Sequence, residues 1–226
     1  MSEVKLVSVS MPRNIDGVNS AEEFIAYAAR VSNPGNQINN ETATKLLRYL
    51  AKHSHWSPFE MVSLTLEIKT TRDIGRQILR HRSFSFQEFS QRYAEVTDQF
   101  EIREARLQDN KNRQNSIKVD DEKLAKAWEE MQQDVAQICR SHYENALKLG
   151  VAKEQARAVL PEGMTKSTMY MAGTLRSFWH FISVRNHPAT QKECREIAEK
   201  VTVILKQEFP SLTEMLEEMI ENNYKV

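Results

Sequence analysis

The amino-acid sequence predicts an α+β fold, in which a few strands pack with many helices and the two kinds of element do not alternate regularly. The clearest strand covers residues 62–69, where apolar side chains alternate with polar ones, so that one face is buried and the other is wet. The clearest helix runs from Leu124 to Leu149, where apolar residues recur at helical spacing. With 226 residues, 40% of them hydrophobic, the chain can form one large domain or two lobes that share a core.

The N-terminal part of the chain is predicted to hold one strand and two helices. Residues 4–9 alternate well enough to form a short strand. Ser20 and Glu23 form a capping-box pattern, which predicts a helix that extends through Val31. A second helix is predicted over residues 41–52, with leucines on its buried side.

The middle of the chain combines a helix, a strand and a polar segment. Thr71 is placed to cap the helix that follows it. Glu88, Ser90 and Arg92 alternate with their neighbours, which suits a strand that presents three polar groups along one edge. Residues 96–121 are polar and weakly periodic, which is typical of a flexible loop or a functional lid.

The C-terminal part is predicted to be helical. Gly150 can end the long helix that starts near Leu124. Further helices are predicted near residues 152–159, 168–186, 189–208 and 211–222.

Charge and cysteine content narrow the classes of function. Lysine and arginine together number 31, as do aspartate and glutamate, so the formal net charge is zero. Proteins that bind nucleic-acid backbones usually carry a basic excess, so we expect a small anionic ligand and no nucleic-acid partner. Cys139 and Cys194 lie far apart without a CxxC partner, which favours a reducing cytoplasmic compartment. No stretch is apolar enough for a signal peptide or a membrane span, so no membrane partner is expected.

The segment from Arg76 to Arg92 carries the residues best suited to bind a phosphate. Its arginine, histidine, glutamine and serine side chains are Arg76, Arg80, Arg82, Arg92, His81, Gln77, Gln87, Gln91, Ser83, Ser85 and Ser90. Guanidinium groups bind phosphate through paired hydrogen bonds, and hydroxyl and amide donors complete such a site. Phe84, Phe86 and Phe89 lie among them, so part of the segment must be tied into the interior.

Residue spacing divides this segment into parts with different roles. Gln77 and Arg80 are three apart on the predicted helix and share a face, whereas Arg80 and Arg82, two apart, do not. The two arginines can therefore contact different ligands, or different parts of one. Composition alone leaves two other interpretations open: a salt-bridged helix end followed by an ordinary turn, and an RNA-binding patch of arginine and aromatic residues.

Residues 80–93, RHRSFSFQEFSQRY, resemble the signature of the flavin-dependent thymidylate synthases. That signature reads RHR, then Ser, Asn-Glu, Ser and Arg-Tyr at these spacings. The positions that match in register are Arg80, His81, Arg82, Ser85, Glu88, Ser90, Arg92 and Tyr93. Gln87 departs from the signature, because the family usually has Asn there. Gln carries the same amide group on a longer side chain.

The resemblance covers most of the chain, in the order of the family. The stretch HSHWSPFE contains His55 and Ser57 and resembles the family's His-x-(Ser/Thr)-Pro-Phe-Glu element, which touches the flavin. Arg157 in ARAVLP resembles the arginine of the nucleotide-binding Arg-x-x-Leu-Pro element. The pattern AARVS offers Ser32 as a flavin contact.

Three residues of the stretch LRSFWHFISVR also match the family. Arg176 and His180 match flavin-binding positions and, four apart on one helix, can approach one ligand together. Arg185 matches the arginine held against the pyrimidine ring and lies about half a turn around from Arg176, at ~100° per residue. Either Arg185 lies past the helix end, or the two arginines serve different active sites, as the tetrameric family would allow.

The resemblance implies that the chain methylates dUMP to dTMP, with 5,10-methylenetetrahydrofolate as carbon donor, NADPH as reductant and FAD as cofactor. It also implies a single domain over residues 1–226, with a small, mostly antiparallel sheet, several long helices and assembly as a homotetramer. The implied dUMP-binding residues are Gln77, Arg80, Glu88, Ser90, Gln91, Arg92, Arg157 and Arg185, the last also catalytic. The implied FAD-binding residues are Ser32, His55, Ser57, Arg80, His81, Arg82, Glu88, Thr174, Arg176 and His180.

Two alternatives remain open at this point. One is a non-enzymatic nucleotide- or RNA-binding module, and the other is a related flavoenzyme that modifies another pyrimidine nucleotide. No metal is expected, because His53, His55 and His81 lack a metal-binding spacing such as HExxH.

Overall fold

A four-stranded antiparallel sheet lies at the centre of the fold. The computed structural model describes residues 2–224. Across the sheet the strands run in the order β1 (Glu3–Val9), β2 (Ser63–Thr71), β6 (Lys166–Thr174) and β3 (Ser85–Glu88). Each neighbouring pair is antiparallel. The predicted α+β fold with a small antiparallel sheet is therefore confirmed.

The central strand β2 has the burial pattern that its sequence predicts. Leu64, Leu66 and Ile68 are fully buried, and Thr65 and Glu67 between them are half-buried. Leu66 lies opposite Met171 of β6, and Ile68 lies opposite Met169. Both methionines are also buried, so β2 and β6 share one apolar face that packs into the core.

Helices surround the sheet in an order that does not alternate with the strands. Within residues 2–224 the α-helices are α1 (Ala21–Ala29), α2 (Ala43–Lys52), α3 (Arg72–Ile78), α4 (Glu122–Lys148), α5 (Lys153–Ala156), α6 (Leu175–Arg185), α7 (Lys192–Glu208) and α8 (Thr213–Asn223). Short 3₁₀ turns cover residues 34–36, 57–60, 157–159 and 210–212. None of these helices is long and apolar enough to cross a bilayer.

The structure contains the predicted start of α1 and the predicted glycine after α4. The Ser20 hydroxyl accepts a hydrogen bond from the backbone N–H of Glu23, whose carboxylate accepts one from the N–H of Ser20 in return. This helix ends at Ala29, two residues before the predicted end. Gly150 has a φ of +81°, a left-handed conformation that suits glycine, and it follows Leu149, the C-cap residue of α4.

The helix predicted over residues 168–186 is wrong in its first half. Residues 166–174 form β6, which pairs with β2 on one side and with β3 on the other. The run TMYMAGT is too short for its hydrophobic periodicity to distinguish a strand from a helix. Pairing with a strand on both sides therefore decides its conformation. The helix starts only at Leu175, after Thr174, whose hydroxyl accepts from the N–H of Ser177.

Two smaller expectations in the middle of the chain are also wrong. Strand β3 ends at Glu88, and Ser90 and Arg92 lie in a turn in which the N–H of Tyr93 donates to the carbonyl of Ser90. The Thr71 hydroxyl does not cap α3, because it donates to the Asp73 carboxylate at 2.6 Å instead.

The polar segment 96–121 contains regular structure. Strands β4 (Arg106–Gln108) and β5 (Ser116–Lys118) form a two-stranded hairpin, separate from the main sheet. Val96, at the start of the segment, packs with Tyr143 and Leu160 in a second small core. The expectation that this segment moves stays a prediction.

Candidate active site

Arg185, at the C-terminal end of α6, is held by two groups from the region before β3. Its Nε donates to Nε2 of His81 at 2.9 Å, and its Nη2 donates to the carbonyl of Gln77 at 2.8 Å. Helix α6 includes Arg185, so the possibility that this arginine lies past the helix end is wrong. Arg176, on another side of the same helix, pairs with Glu60. The two arginines thus have different neighbours.

His81 is the buried centre of this arrangement, with 8% of its surface exposed. Its ring lies 5.0 Å from the ring of Phe181 and 6.2 Å from that of His180. Burial, and then electrostatic repulsion from Arg185 and His180, lower the pKa of His81 to about 4. His81 is therefore neutral at pH 7, which agrees with an Nε2 that accepts the Arg185 hydrogen bond.

Gln77 connects the Arg185 contact to helix α7. Its side-chain amide donates to Oε1 of Gln191 at 2.7 Å. The prediction that Gln77 shares a helix face with Arg80 is wrong, because α3 ends at Ile78. Arg80 and Arg82 are exposed, and neither has an ion-pair or hydrogen-bond partner within residues 2–224.

Phe84 ties the RHR segment to the sheet. Its ring is buried and lies edge-on to Phe178, with a centroid distance of 4.8 Å. Gly173 of β6 leaves the space that the ring occupies, since a Cβ there would lie 2.4 Å from a ring carbon of Phe84. This packing holds the backbone beside His81 and explains Phe84, whereas Phe86 is partly buried and Phe89 is exposed.

Glu88, at the end of β3, is fixed by two polar neighbours. Its Oε1 accepts from Arg72 at 3.2 Å and from the Ser167 hydroxyl at 2.7 Å. Arg72 and Glu88 both keep less than a quarter of their side-chain surface exposed, so the pair is largely shielded from solvent.

Arg92 and Arg157 meet through a shared neighbour. Nε of Arg92 pairs with the Glu154 carboxylate at 3.2 Å, and Nε of Arg157 donates to the Glu154 carbonyl at 3.3 Å. Arg157 and Gln91 line a cavity of about 520 Å³, to which Arg72 and Arg76 also contribute. Gln91 is buried, and its Nε2 has no hydrogen-bond partner among the described residues. A buried amide of this kind is suited to donate to a ligand.

The residues predicted for the flavin are only partly brought together. Ser57 begins the 3₁₀ turn that ends at Glu60, and Glu60 pairs with Arg176 of α6. Thr174 caps the N-terminal end of α6. His55 is exposed and lies edge-on to Tyr49, with a centroid distance of 6.1 Å. Ser32 is exposed in the turn after α1, without a contact to the other predicted site residues described.

Sequence reasoning missed four residues that hold this site. Arg72, Glu154 and Gln191 position Glu88, Arg92 and Gln77, and Glu60 positions Arg176. Glu60 could have been found, because it ends the SPFE motif. The others lie outside the matched motifs, and only the tertiary contacts reveal them. Among residues 2–224, no three His, Cys, Asp or Glu side chains are grouped to hold a metal ion.

The fold and the site define an α+β protein in which arginines from separate parts of the chain line one cavity. Comparison with known proteins identifies the family to which this protein belongs. The family model described as "Thymidylate synthase complementing protein" matches residues 15–211. A solved structure of a UMP/dUMP methylase, PolB from Streptomyces cacaoi bound with 5-Br UMP, is similar, with a TM-score of 0.80 and 26% sequence identity. The match covers 97% of this chain and 95% of that one.

Two sequence relatives are similar over nearly their whole length. The chain is 49% identical over 213 residues to a probable flavin-dependent thymidylate synthase of Paramecium bursaria Chlorella virus 1, covering 94% of this chain and 98% of the relative. It is also 49% identical over 217 residues to a flavin-dependent thymidylate synthase of Synechocystis, covering 95% and 99%. The chain therefore belongs to the family of flavin-dependent thymidylate synthases.

Proposed function

We propose that this chain is an FAD-dependent thymidylate synthase that converts dUMP to dTMP. In the balanced reaction, dUMP, 5,10-methylenetetrahydrofolate, NADPH and a proton give dTMP, tetrahydrofolate and NADP⁺. Carbon C5 of the pyrimidine gains the methylene carbon and loses its proton, and NADPH supplies the hydride that completes the methyl group. The observation that carries the proposal is the fixed position of Arg185 between His81 and Gln77 in a chain of this family.

Arg185 is suited to stabilise the pyrimidine as its C5 becomes nucleophilic. The ring gains negative charge when the N3 proton is lost or weakened, and an arginine keeps its positive charge at neutral pH. The bonds to His81 and Gln77 use Nε and Nη2 and leave Nη1 without a partner among the described residues. Charge held in place before the reaction needs no reorganisation in the transition state.

The cavity lined by Gln91 and Arg157 is suited to the nucleotide phosphate. A buried donor without a partner costs about 1–3 kcal/mol, which a phosphate oxygen at Nε2 of Gln91 would recover. Arg157 adds a guanidinium group to the same space of about 520 Å³, which Arg72 and Arg76 also line while paired with Glu88 and Glu162. Arg92 and Ser90 adjoin it through Glu154 and the turn after β3.

The donors around α6 fit a flavin dinucleotide. Arg80 and Arg82 are exposed cations without partners among the described residues, and guanidinium groups of this kind pair with a diphosphate. His81, His180 and Arg176 add ring and cationic groups on neighbouring elements. Bound FAD would supply the transfer of reducing equivalents from NADPH to the one-carbon unit, and the protein would supply position and charge.

We also propose that the chain forms a homotetramer with shared sites. Helix α4 supports this, because Met131, Val135 and Ile138 form one apolar stripe and each exposes 44% or more of its surface. A stripe of this length on one helix face is typical of a surface that pairs with another helix. The exposed arginines Arg80 and Arg82 could then reach a ligand together with a second copy. We expect a cytoplasmic enzyme, in keeping with the free thiols of Cys139 and Cys194.

The function is tested by purifying the protein and recording its absorbance spectrum, then incubating it with dUMP, methylenetetrahydrofolate and NADPH. The expected result is a flavin spectrum close to one flavin per chain and formation of dTMP that depends on all three substrates. A protein that binds no flavin on reconstitution and forms no dTMP would contradict the proposal and favour a nucleotide-binding module.

A second candidate function is modification of a ribonucleotide. It is favoured by the similarity to a UMP/dUMP methylase over 97% of this chain. Turnover of UMP and dUMP under the same conditions separates the two, and product masses distinguish methylation from hydroxymethylation. Comparable kcat/KM values for UMP and dUMP would support the second candidate.

A further inference from the structure

A row of hydrogen-bonded side chains leads from Gln77 to an ion pair at the start of α7. The side-chain amide of Gln77 donates to Oε1 of Gln191 at 2.7 Å, and that of Gln191 donates to Oε2 of Glu193 at 3.0 Å. The other oxygen of Glu193, Oε1, accepts from Arg106 of β4. This hydrogen-bond row (Gln77, Gln191, Glu193 and Arg106) therefore joins α3, α7 and β4.

The end of the row at α7 is held firmly. Gln191 is the N-cap residue of α7, and its carbonyl accepts from the N–H groups of Cys194 and Arg195, both at 3.0 Å. The side chains of Glu193 and Arg106 expose only 13% and 14% of their surface. Because water has little access to this ion pair, its hydrogen bonds are strong and keep their geometry.

Glu193 is ionised at neutral pH. Burial raises the pKa of its carboxyl group, but the hydrogen bonds from Arg106, from its own backbone N–H and from Gln191 outweigh burial, so the pKa lies below its ordinary value of 4.5. An ionised carboxylate can only accept hydrogen bonds, and a guanidinium group can only donate them. The direction of the hydrogen bonds at this end of the row is therefore fixed.

This fixed end determines how both amides are turned. Because Glu193 only accepts, Gln191 must turn its NH₂ group towards Glu193 and its oxygen towards Gln77. An amide oxygen also only accepts, so Gln77 turns its NH₂ group towards Gln191 and its own Oε1 away. Oε1 of Gln77 is not buried and has no hydrogen-bond partner among residues 2–224. It is an acceptor that is open to a ligand.

The open oxygen belongs to a residue that also holds Arg185. The backbone carbonyl of Gln77 accepts from Nη2 of Arg185 at 2.8 Å, so the Gln77 side chain starts beside the arginine proposed to stabilise the pyrimidine. Apart from its phosphate, dUMP has two hydrogen-bond donors, the N3–H of the ring and the 3′-hydroxyl of the sugar. An acceptor oxygen suits either of them, whereas an NH₂ group suits neither.

We infer that Glu193 is a positioning residue, which turns the amides of Gln191 and Gln77 so that Gln77 presents an oxygen to a hydrogen-bond donor of dUMP. This inference rests on the proposed function, which supplies dUMP as the substrate. If both amides were reversed, the NH₂ group of Gln77 would face the same donor. The nucleotide would then lose a hydrogen bond and leave a donor unpaired.

The substitution Glu193→Gln tests this inference, because it reverses the row without changing its size. Arg106 can only donate, so the oxygen of the new amide faces Arg106 and its NH₂ group faces Gln191. Both amides of the row must then turn round. By isothermal titration calorimetry on the flavin-bound enzyme, we expect the Kd of dUMP to rise about tenfold, the value of one lost hydrogen bond. The KM of dUMP should rise with it while kcat stays within about twofold, since the contact also exists in the ground state.

Arg106→Gln is the matched control, since it breaks the same ion pair but keeps the Glu193 carboxylate. Its Kd for dUMP should stay within about twofold of the unchanged protein. Combining Arg106→Gln with Glu193→Gln removes the group that can only donate, so the row can return to its original direction. The affinity should then recover to within about twofold of the unchanged protein. A role limited to fastening β4 to α7 would instead make the double variant the weakest binder.

A second set of variants tests whether the effect passes through Gln77. In a Gln77→Met background, Glu193→Gln should cause no further loss of dUMP affinity, because no amide is left to turn. Gln191→Met interrupts the row and leaves the Arg106–Glu193 pair intact, so it replaces Glu193→Gln if that variant does not fold. It should also weaken dUMP binding, with no further loss in the Gln77→Met background.

A substrate analogue distinguishes the two donors of dUMP. With 2′,3′-dideoxyuridine monophosphate, which lacks the 3′-hydroxyl, a loss caused by Glu193→Gln that disappears assigns the contact to the sugar. A loss that persists assigns it to N3–H.

Three results would overturn the inference: an unchanged Kd of dUMP in Glu193→Gln, no recovery in the double variant with Arg106→Gln, or full additivity with Gln77→Met. Each of these leaves the proposed function intact. An unchanged protein that neither binds dUMP nor forms dTMP would refute the proposed function itself.

Discussion

The arginines of the candidate site fall into two groups that differ in what holds them. Arg185 is fixed by His81 and Gln77, and Arg72 is fixed by Glu88, so these two have defined positions within one chain. Arg80 and Arg82 are exposed and without partners among the described residues. The first group is held by the fold itself, whereas we propose that the second gains its contacts from a ligand or another copy of the chain.

This difference indicates how binding energy is used in the proposed reaction. A charge that the fold holds in place can act on the reacting ring without a cost of ordering. An exposed arginine must lose side-chain freedom when it binds, about 1.5–2 kcal/mol for a long side chain, so it contributes to affinity more than to rate. Substitutions in the two groups should therefore change different measured quantities.

The largest effect is expected for Arg185→Ala. The variant loses the positive charge beside the pyrimidine, and kcat for dTMP formation should fall by at least about 10²–10³-fold. Flavin absorbance per chain should stay unchanged, because Arg185 itself is not among the residues proposed to contact the flavin. Arg185→Lys is the matched control, which keeps the charge but not both hydrogen bonds, and it should recover only part of the rate. Near-normal turnover of Arg185→Ala would remove Arg185 from the mechanism.

The next largest effect concerns the packing that holds the first group. In Gly173→Ala the new methyl group would meet the Phe84 ring at 2.4 Å, so the ring or the strand must shift. We expect a loss of about 1–3 kcal/mol in the free energy of unfolding, measured by urea denaturation. Gly35→Ala is the control, since a Cβ at Gly35 meets nothing within 4 Å. Equal stability of the two variants would mean that Phe84 does not fix the RHR segment.

A smaller effect is expected for the exposed group. Arg80→Gln and Arg82→Gln should leave the free energy of unfolding within about 0.5 kcal/mol of the unchanged protein, because both side chains are exposed. Each variant should weaken flavin binding by about tenfold, the value of one lost charge-assisted hydrogen bond. Flavin fluorescence titration measures the affinity. A large loss of stability, or unchanged flavin affinity in both variants, would contradict the division into two groups.

The smallest expected effect is the pH dependence that the His81 imidazole gives to the free energy of unfolding, since this imidazole is neutral at pH 7 in both the folded and the unfolded chain. Its pKa falls from an ordinary value of 6.5 to about 4 on folding, so the unfolded chain binds the proton more readily below pH 6.5. His81 therefore contributes stability above pH 6.5 that is lost as the pH falls towards 4. The difference in unfolding free energy between pH 7 and pH 5 should shrink in His81→Gln. An NMR titration in which the His81 imidazole protonates near pH 6.5 in the folded protein would contradict this prediction.

The sequence predicted the strands and helices whose patterns are long or capped. The alternation in residues 62–69 predicted β2, and the capping box at Ser20 predicted the start of α1. The motif in residues 80–93 indicated the family by its residues and their spacing alone. The sequence did not predict β6, since a short apolar run can be a strand or a buried helix, and only its pairing with β2 and β3 decides.

The sequence alone determined which residue types the chain offers for binding anions. It also indicated the family to which the chain belongs. The tertiary structure decided which of them are held. The contacts Arg185–His81, Arg72–Glu88 and Gln77–Gln191 join residues 104, 16 and 114 positions apart. Local spacing cannot predict such contacts, because they form only when separate elements pack against one sheet.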